Sequence, residues 1–580
     1  SSKWQSQSNF GALAIPPLHD TPRQQAMVLL KSFLLAAPLF ARPALAKDAF
    51  VFLGATGDNA LRENGVWQGV FEAFAGGEFD KVGGLDIHVA MNAPHSSSEL
   101  TTQVNASLTP LYRALAWNPG WKCRTQAGDC SVEEFISKIT VNIWHGRDAD
   151  AQAADMAPAL KDYDRLTLYL SVPPSVFGAW SDAAIKNWGQ GSKERVHVAA
   201  EKPFGTSIET ADKLHRDILG PGLTDSNLHL VDHWLSFFIN RHLMELRSLV
   251  LPKLSVGAGM IAKWDSTTFS RVVVTEFETR GLDGRGGFFD TVGQVRDMVQ
   301  SHLLQVMALS LVDTHTTDAE LDESKLAIFN KTSVSSCSFG QYDGFLLEPK
   351  LTYHPSFADA TLCSVNLAVD TEAWRGVPIT IATGKTTGTT IYTVEFYQKD
   401  GPGVLTFEIG REEVGLGGIK VQNWELSNSD AFDVPAPGFG TAGSITATPA
   451  VSKGNGFILN YSSPSLYFPK PYAMMAASLL TRQYGTAFVS YPQCRRSWEI
   501  VTAASPAVCL DPTPEQVKVY KAPETCGNTP PAVCYEDHTV KYLYDVAFQC
   551  SPEHNAQYAS ISLYKAKCNI SSGESDVLFV

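Results

Sequence analysis

A short run without a polar residue, Ala49-Phe-Val-Phe-Leu53, stops at a glycine turn, Gly54-Ala55-Thr56-Gly57-Asp58. It then passes into a segment that places Val66, Trp67, Val70, Phe71 and Phe74 on one side. An apolar run of this length suits a parallel strand buried on both faces. The later spacing is that of a helix. Strand, glycine turn and helix together make a nucleotide-binding turn, because glycines let backbone N–H groups approach a pyrophosphate at the helix N-terminus. The spacing G-x-G-x-x-G is absent, and G-x-x-G also closes ordinary turns, so the dinucleotide reading stays open at this point.

The same pattern recurs along the next 150 residues or so. Leu85–Ala90 reads as a second strand, with Asn92 near the position where an acid would select NAD and an arginine NADP. Residues 93–160 read as loop-rich, with Cys123 and Cys130 close enough to bridge. Arg165–Val172 is another buried strand, closed by Pro173-Pro174, then a helix over 175–188 and a strand over 195–200. Such alternation predicts a doubly wound α/β sheet. From Ser270 the strands lengthen and alternate, as in 271–278, 389–397 and 403–409, which predicts an α+β domain on a largely antiparallel sheet. The expected organisation is a leader over 1–46, a Rossmann-like domain over 47–231, an α+β domain over 232–505 and a cysteine-rich extension over 506–580. For 580 residues two or three domains are expected.

Three strand ends and one helix carry candidate chemistry. Glu201-Lys202 follows the strand at 195–200, at the edge where open α/β sheets bind ligands; a solvated surface turn is the plainer reading. Asp232-His233 follows Leu228–Val231. Neighbours on a strand point to opposite faces, so Asp232 needs a histidine from elsewhere to form a base pair of the general-base kind. His302 is available. It shares a helix face with Val295, Val299 and Val306, just after the loop Gly284-Arg285-Gly286-Gly287. Judged on that face alone, it reads as a core histidine satisfied by one hydrogen bond.

The net charge of −14 excludes a general nucleic-acid binder. No cysteine or histidine spacing suggests a metal. Met27–Ala46 has an early lysine, a short apolar run and Ala44-Leu45-Ala46 as a small-residue cleavage site, which predicts a signal peptide over 27–46. Ten cysteines, six of them at 494, 509, 526, 534, 550 and 568, read as a disulfide framework, and sequons at Asn105, Asn330, Asn460 and Asn569 are compatible with glycosylation. The expected compartment is therefore the secretory pathway, in the endoplasmic reticulum lumen or beyond it; without a signal peptide it would be the cytoplasm. No other stretch is long and apolar enough to span a membrane.

The motifs GATGD, YLSVPPSVF, AEKPFG, LVDHWL, GRGGFFD, RDMVQSHLLQ and WRGVPITIATGK stand in the order seen in glucose-6-phosphate dehydrogenases, followed by PSLYFPKPYAMM and RRSWEI. The chain resembles that family over roughly residues 47–504, and GATGD with WQGVF is most similar to the lumenal hexose-6-phosphate dehydrogenase branch. That branch carries a C-terminal lactonase domain, for which the last 75 or so residues are too few. The resemblance implies hydride transfer from C1 of a sugar phosphate to NADP, or NAD, giving a lactone. It implies His302 as the base and Asp232 as its orienting carboxylate. Lys202, His233, Glu278, Asp297 and Lys385 would hold the substrate, with Lys202 also touching the cofactor. Gly54, Ala55, Thr56, Gly57, Asp58, Arg62 and Pro173 would hold the dinucleotide. It also implies a homodimer or homotetramer.

The departures concern anion binding. D-H-Y-L-G-K reads Asp232-His-Trp-Leu-Ser-Phe237, so a phosphate-binding lysine is Phe237. The NADP-selecting arginine falls near Asn92, and a second basic residue after TGK falls near Thr390. Three functions are compatible with this: an NADP-using glucose-6-phosphate dehydrogenase, a dehydrogenase of unphosphorylated glucose or one using NAD, and a non-catalytic binding protein on the same scaffold.

Overall fold

The computed structural model describes residues 47–520, apart from short internal stretches of which 352–359, 436–443, 448–456 and 461–468 are the longest. The expected leader and most of the expected extension lie outside the described residues.

The first sheet contains β1 (Asp48–Leu53), β2 (Leu85–Asn92), β3 (Ile139–Trp144), β4 (Arg165–Leu170), β5 (Val196–Ala200) and β6 (Leu228–Val231). Their order is β6-β5-β4-β1-β2-β3, all parallel. Every residue of β1 is buried, as an apolar run in the centre of a two-faced sheet requires. The order reverses between β1 and β4, so the crevice beyond their carboxyl ends is the topological switch point. This is the Rossmann-like sheet expected from the alternation.

Residues 93–160 are not the loop-rich stretch expected. They hold helices at Ser97–Trp117, Val132–Ser137 and Ala149–Leu160, besides β3. The first is opened by a capping box of Ser96 with Glu99 and buries Leu100, Val104, Leu108, Leu111 and Leu115. Its serines, threonines and internal Pro110 give it the composition of a loop, while the spacing of its leucines is helical.

The second sheet is built on β7 (Phe269–Phe277), β8 (Thr332–Tyr342), β9 (Leu362–Val369), β10 (Ile379–Gly384), β11 (Ile391–Gln398), β12 (Val404–Arg411) and β13 (Gly415–Gln422). It is mostly antiparallel, with β7 and β10 as a parallel pair at its centre. Because β7 and β10 run the same way and β11 runs opposite, Glu278, Lys385 and Thr390 emerge at one edge.

Chain from beyond residue 469 returns to the first sheet. The helix Pro471–Thr481 packs on Val66–Ala75, and Phe488–Val489 adds an antiparallel strand to β6. The close approach depends on Gly69, where a Cβ would lie 2.4 Å from Cβ of Tyr472.

Cys123 pairs with Cys130 as expected, with Cα atoms 5.8 Å apart. The C-terminal set departs from expectation: Cys509 pairs with Cys337 on β8, at 5.6 Å, and Cys494 is buried in the helix Tyr491–Thr502 with no disulfide partner among the described residues. Cys526, Cys534, Cys550 and Cys568 lie outside the described residues.

Candidate active site

Four strands of the first sheet end on the same side. β1 runs into Gly54, β4 into Ser171, β5 into Glu201-Lys202 and β6 into Asp232. Gly54 has φ +83°, and a Cβ there would lie 2.0 Å from the Ser171 carbonyl oxygen. Only glycine lets the end of β1 turn this close to the end of β4. The crevice beyond is lined by Asp58, Asn59, Arg62, Ser171 and Val172. A glycine cradle, a guanidinium and open space at the switch point fit a dinucleotide. Gly54, Ala55, Thr56 and Gly57 precede Asp58 in the turn and do not themselves line the crevice. Pro173 is exposed and stands off the wall that Ser171 and Val172 provide.

The crevice continues into a cavity of about 760 Å³ reaching the edge of the second sheet, where Lys202, His233, Glu278, Asp297 and Lys385 meet. Lys202 Nζ donates to Asp297 Oδ1 at 3.0 Å and to its carbonyl oxygen at 3.2 Å. Lys385 Nζ donates to Glu278 Oε2 at 3.1 Å and lies 4.0 Å from Asp297 Oδ2. Burial pushes the Asp297 carboxyl up, but the ammonium groups of Lys202 and Lys385 outweigh it and hold it well below the usual carboxylate range. Burial pushes Lys385 down, and Glu278 and Asp297 more than reverse this, so it titrates above an ordinary lysine. Asp297 and Lys385 are therefore both charged at neutral pH.

The Asp232–His302 pair stands beside this cluster. Asp232 caps the single turn His233–Ser236, Oδ1 accepting from the Trp234 N–H at 3.0 Å. The same oxygen lies 2.5 Å from His302 Nδ1. His302 comes from a segment that is helical as expected but not uniformly α. A break at Gly293 (φ +66°) ends the first part, and Val295–Leu303 is a π-helix leading into Leu304–Leu311. Such wide turns concentrate at functional sites.

Asp232 fixes the tautomer, because a carboxylate accepts from Nδ1–H and leaves the lone pair on Nε2. That Nε2 is buried without a hydrogen-bond partner among the described residues. Burial pushes the imidazole down and Asp232 pulls it up; burial wins, and His302 is neutral at pH 7. It is not on the cavity wall itself. Its ring neighbours are, His233 with centroids at 5.0 Å and Trp234 at 5.8 Å.

Some of the wall was not read from the sequence. Tyr472 stacks on His233, with centroids 5.5 Å apart, and its hydroxyl donates to Asn59 Oδ1 at 3.3 Å. Asn59 in turn donates to Glu201 Oε1 at 3.4 Å, and burial pushes that carboxyl up. The string Pro469-Lys470-Pro471-Tyr472 was the available signal. Phe237, Phe238, Arg280, Arg285 and Phe288 also line the cavity. Thr390 reaches Thr279, its hydroxyl oxygen 3.3 Å away, beside Arg280.

A Rossmann-like sheet joined to a mostly antiparallel sheet, with a histidine–carboxylate pair at their junction, defines the class of two-domain dinucleotide-binding folds. Residues 51–237 match the family model for the glucose-6-phosphate dehydrogenase NAD binding domain, and residues 259–415 match that for its C-terminal domain. Together they cover more than half of the chain, which belongs to the glucose-6-phosphate dehydrogenase family.

Among relatives, glucose-6-phosphate 1-dehydrogenase of Cyberlindnera jadinii is 30% identical over 253 residues, 41% of this chain and 48% of its own. That of Saccharomyces cerevisiae is 24% identical over 403 residues, 65% of this chain and 74% of its own. The chain thus spans about half the length of several curated relatives it matches. A solved glucose-6-phosphate dehydrogenase in complex with glucose-6-phosphate shares the fold, with TM-score 0.60, 20% identity, and coverage of 82% of this chain and 94% of that one. The enzyme from Mycobacterium avium gives 0.59 at 19% identity, with the same coverage.

Proposed function

We propose that this protein oxidises glucose 6-phosphate at C1, giving 6-phosphogluconolactone and reduced NADP, the entry reaction of the pentose phosphate pathway. The observation that carries this is the buried Nε2 of His302, left as an acceptor by the bond between Nδ1 and Asp232. Family membership names the reaction it serves.

His302 takes the C1 hydroxyl proton as the C1–H bond breaks, and Asp232 stabilises the imidazolium that forms. Nicotinamide, when bound beyond the ends of β1 and β4, would supply the hydride acceptor. Glu278 and Asp297 accept hydrogen bonds from sugar hydroxyls, and Lys202 spans substrate and coenzyme. We take the Lys202–Asp297 contact to be exchanged for ligand contacts when sugar binds, which opens Nε2 to the C1 hydroxyl. Arg62 would hold a coenzyme phosphate.

A second reading, oxidation of unphosphorylated glucose or use of NAD, is favoured by the aromatic Phe237, Phe238 and Phe288 in the cavity wall. The test is coenzyme reduction by the full chain, crossing glucose and glucose 6-phosphate with NAD and NADP. The proposal expects the highest kcat/KM with glucose 6-phosphate and NADP. Higher values with glucose support the second reading, and no rate in any combination supports a binding protein.

We further propose the lumenal hexose-6-phosphate branch and a secretory compartment, supported by the Met27–Ala46 pattern, the two cysteine pairs and the exposure of Asn105 and Asn330. Endoglycosidase-sensitive mass on the expressed chain is the expected result; its absence argues for the cytoplasm. A homodimer or homotetramer is proposed on family grounds, with mass by light scattering as its test.

A further inference from the structure

Behind the Asp232–His302 pair lies a buried charge that the reaction above leaves unused. Lys325 sits in the helix Leu321–Asn330, which packs against both Leu304–Leu311, the continuation of the His302 segment, and Tyr491–Thr502. Its side chain is 0% exposed, and Nζ has no hydrogen-bond partner among the described residues. An ammonium in such a place is costly unless an anion compensates it.

Two carboxylates act on it electrostatically, Asp322 and Asp232. Asp322 lies one turn earlier on the exposed side of the same helix, its Oδ1 already accepting from Gln493 Nε2 at 2.6 Å. Asp232 is 2% exposed. Its Oδ1 serves both His302 and Trp234, while its Oδ2 is buried with no hydrogen-bond partner among the described residues. A buried cation and a buried carboxylate oxygen, neither with such a partner, thus act on each other electrostatically.

We propose that Lys325 is a positioning residue for His302: its ammonium acts electrostatically on the Asp232 carboxylate and shares its charge. The proposal rests on the oxidation assigned to His302. Without Lys325 the full charge of Asp232 would act on the imidazole and favour imidazolium, the form that cannot accept a proton. The groups acting on His302 are Asp232 and Asp297, which favour the charged ring, and Lys202, which opposes it; those acting on Lys325 are Asp232 and Asp322. Burial lowers the Lys325 ammonium to about 8 against the pull of both carboxylates, so at pH 7 it is mostly charged.

The test is the pH profile of kcat/KM for wild type, Lys325→Met and Lys325→Arg. Removing the cation raises the proton affinity of His302, so the acid limb of Lys325→Met should move to higher pH by roughly half to one unit. Its rate at pH 7 should fall severalfold, while Lys325→Arg keeps the limb in place. A limb that does not move in Lys325→Met overturns the inference, even if turnover falls, because a packing role lowers rate without shifting a titration. Lys325→Gln serves if the methionine variant does not fold. If neither neutral variant folds and Lys325→Arg does, the residue is structural and the inference fails. Wild-type rate separates the levels: a silent wild type overturns the parent reading as well, an active one with an unmoved limb only the inference.

Discussion

Asp232→Asn tests the centre of the proposed site with little change of shape. The amide oxygen can still cap the turn at Trp234, whose N–H is 3.0 Å from Oδ1, so the fold should persist. What changes is the charge facing His302 Nδ1 at 2.5 Å. An ion pair with charge centres about 4 Å apart at an effective dielectric of about 20 is worth about 4 kcal/mol. That corresponds to about a thousandfold in rate if the charge acts only once the imidazolium forms. Asparagine can also turn its NH2 toward Nδ1, which would leave the proton on Nε2 and remove the base. The expected result is a kcat lower by roughly a hundred- to a thousandfold, with the KM for sugar little changed. The assay is NADPH formation at saturating glucose 6-phosphate, with thermal unfolding to confirm the native state. A folded Asp232→Asn enzyme within about twofold of wild type would remove His302 from the base position, since general-base contributions begin near a hundredfold.

Gly54→Ala should weaken coenzyme binding at least about tenfold in a fluorescence titration with NADPH, because its Cβ would enter the space of the Ser171 carbonyl; wild-type affinity would show that the turn is not the cradle. Phe237→Lys should lower the KM for glucose 6-phosphate about tenfold and leave that for glucose unchanged, the worth of one charge-assisted contact. An unaltered KM would mean that other cations of the cavity wall, such as Arg280 or Arg285, already supply the charge. His197 and His229 stack in the first sheet with Nδ1 and Nε2 3.0 Å apart, and burial lowers them to about 4 and about 3. Since an unfolded histidine titrates near 6.5, the unfolded chain takes up more protons below that pH. Their stabilising effect is therefore complete above about pH 6.5 and is lost as pH falls toward about 4 and below. Urea midpoints at pH 7 and pH 5 should differ less in His229→Gln than in wild type, and an equal difference would refute this.

Much of the first sheet was legible because its strands are apolar on both faces and end in glycine, proline or charge. The helix Ser97–Trp117 was missed because its composition outweighed its spacing. Asp232 and His302 could be paired from the sequence since one ends a strand and needs a partner the next residue cannot supply. Lys202, Glu278, Asp297 and Lys385 carry no such local requirement, and resemblance alone brought them together. Tyr472 stands in the string Pro469-Lys470-Pro471-Tyr472, but nothing local shows where that string packs: it reaches Asn59 across 413 positions of sequence. Arg280 and Arg285 are exposed arginines at a strand end and in a loop, and nothing in the local sequence separates them from solvated surface charge. Lys325 lies in a helix whose other buried residues are apolar, where a single lysine reads as surface.

The return of residues 469–472 to the first sheet bears on how the protein comes into being. Ribosomes add residues in order, so the six parallel strands of the first sheet, β7–β13 and the Asp232–His302 pair can exist before Tyr472 emerges from the exit tunnel. Until then His233 lacks the ring that stacks on it, Asn59 lacks its tyrosine hydroxyl, and the crevice lacks one wall. A nascent chain, or one cut short by a stop codon after β13, would retain every proposed catalytic and substrate-binding group and yet hold an unfinished pocket. Catalytic competence is thereby deferred to the last part of synthesis.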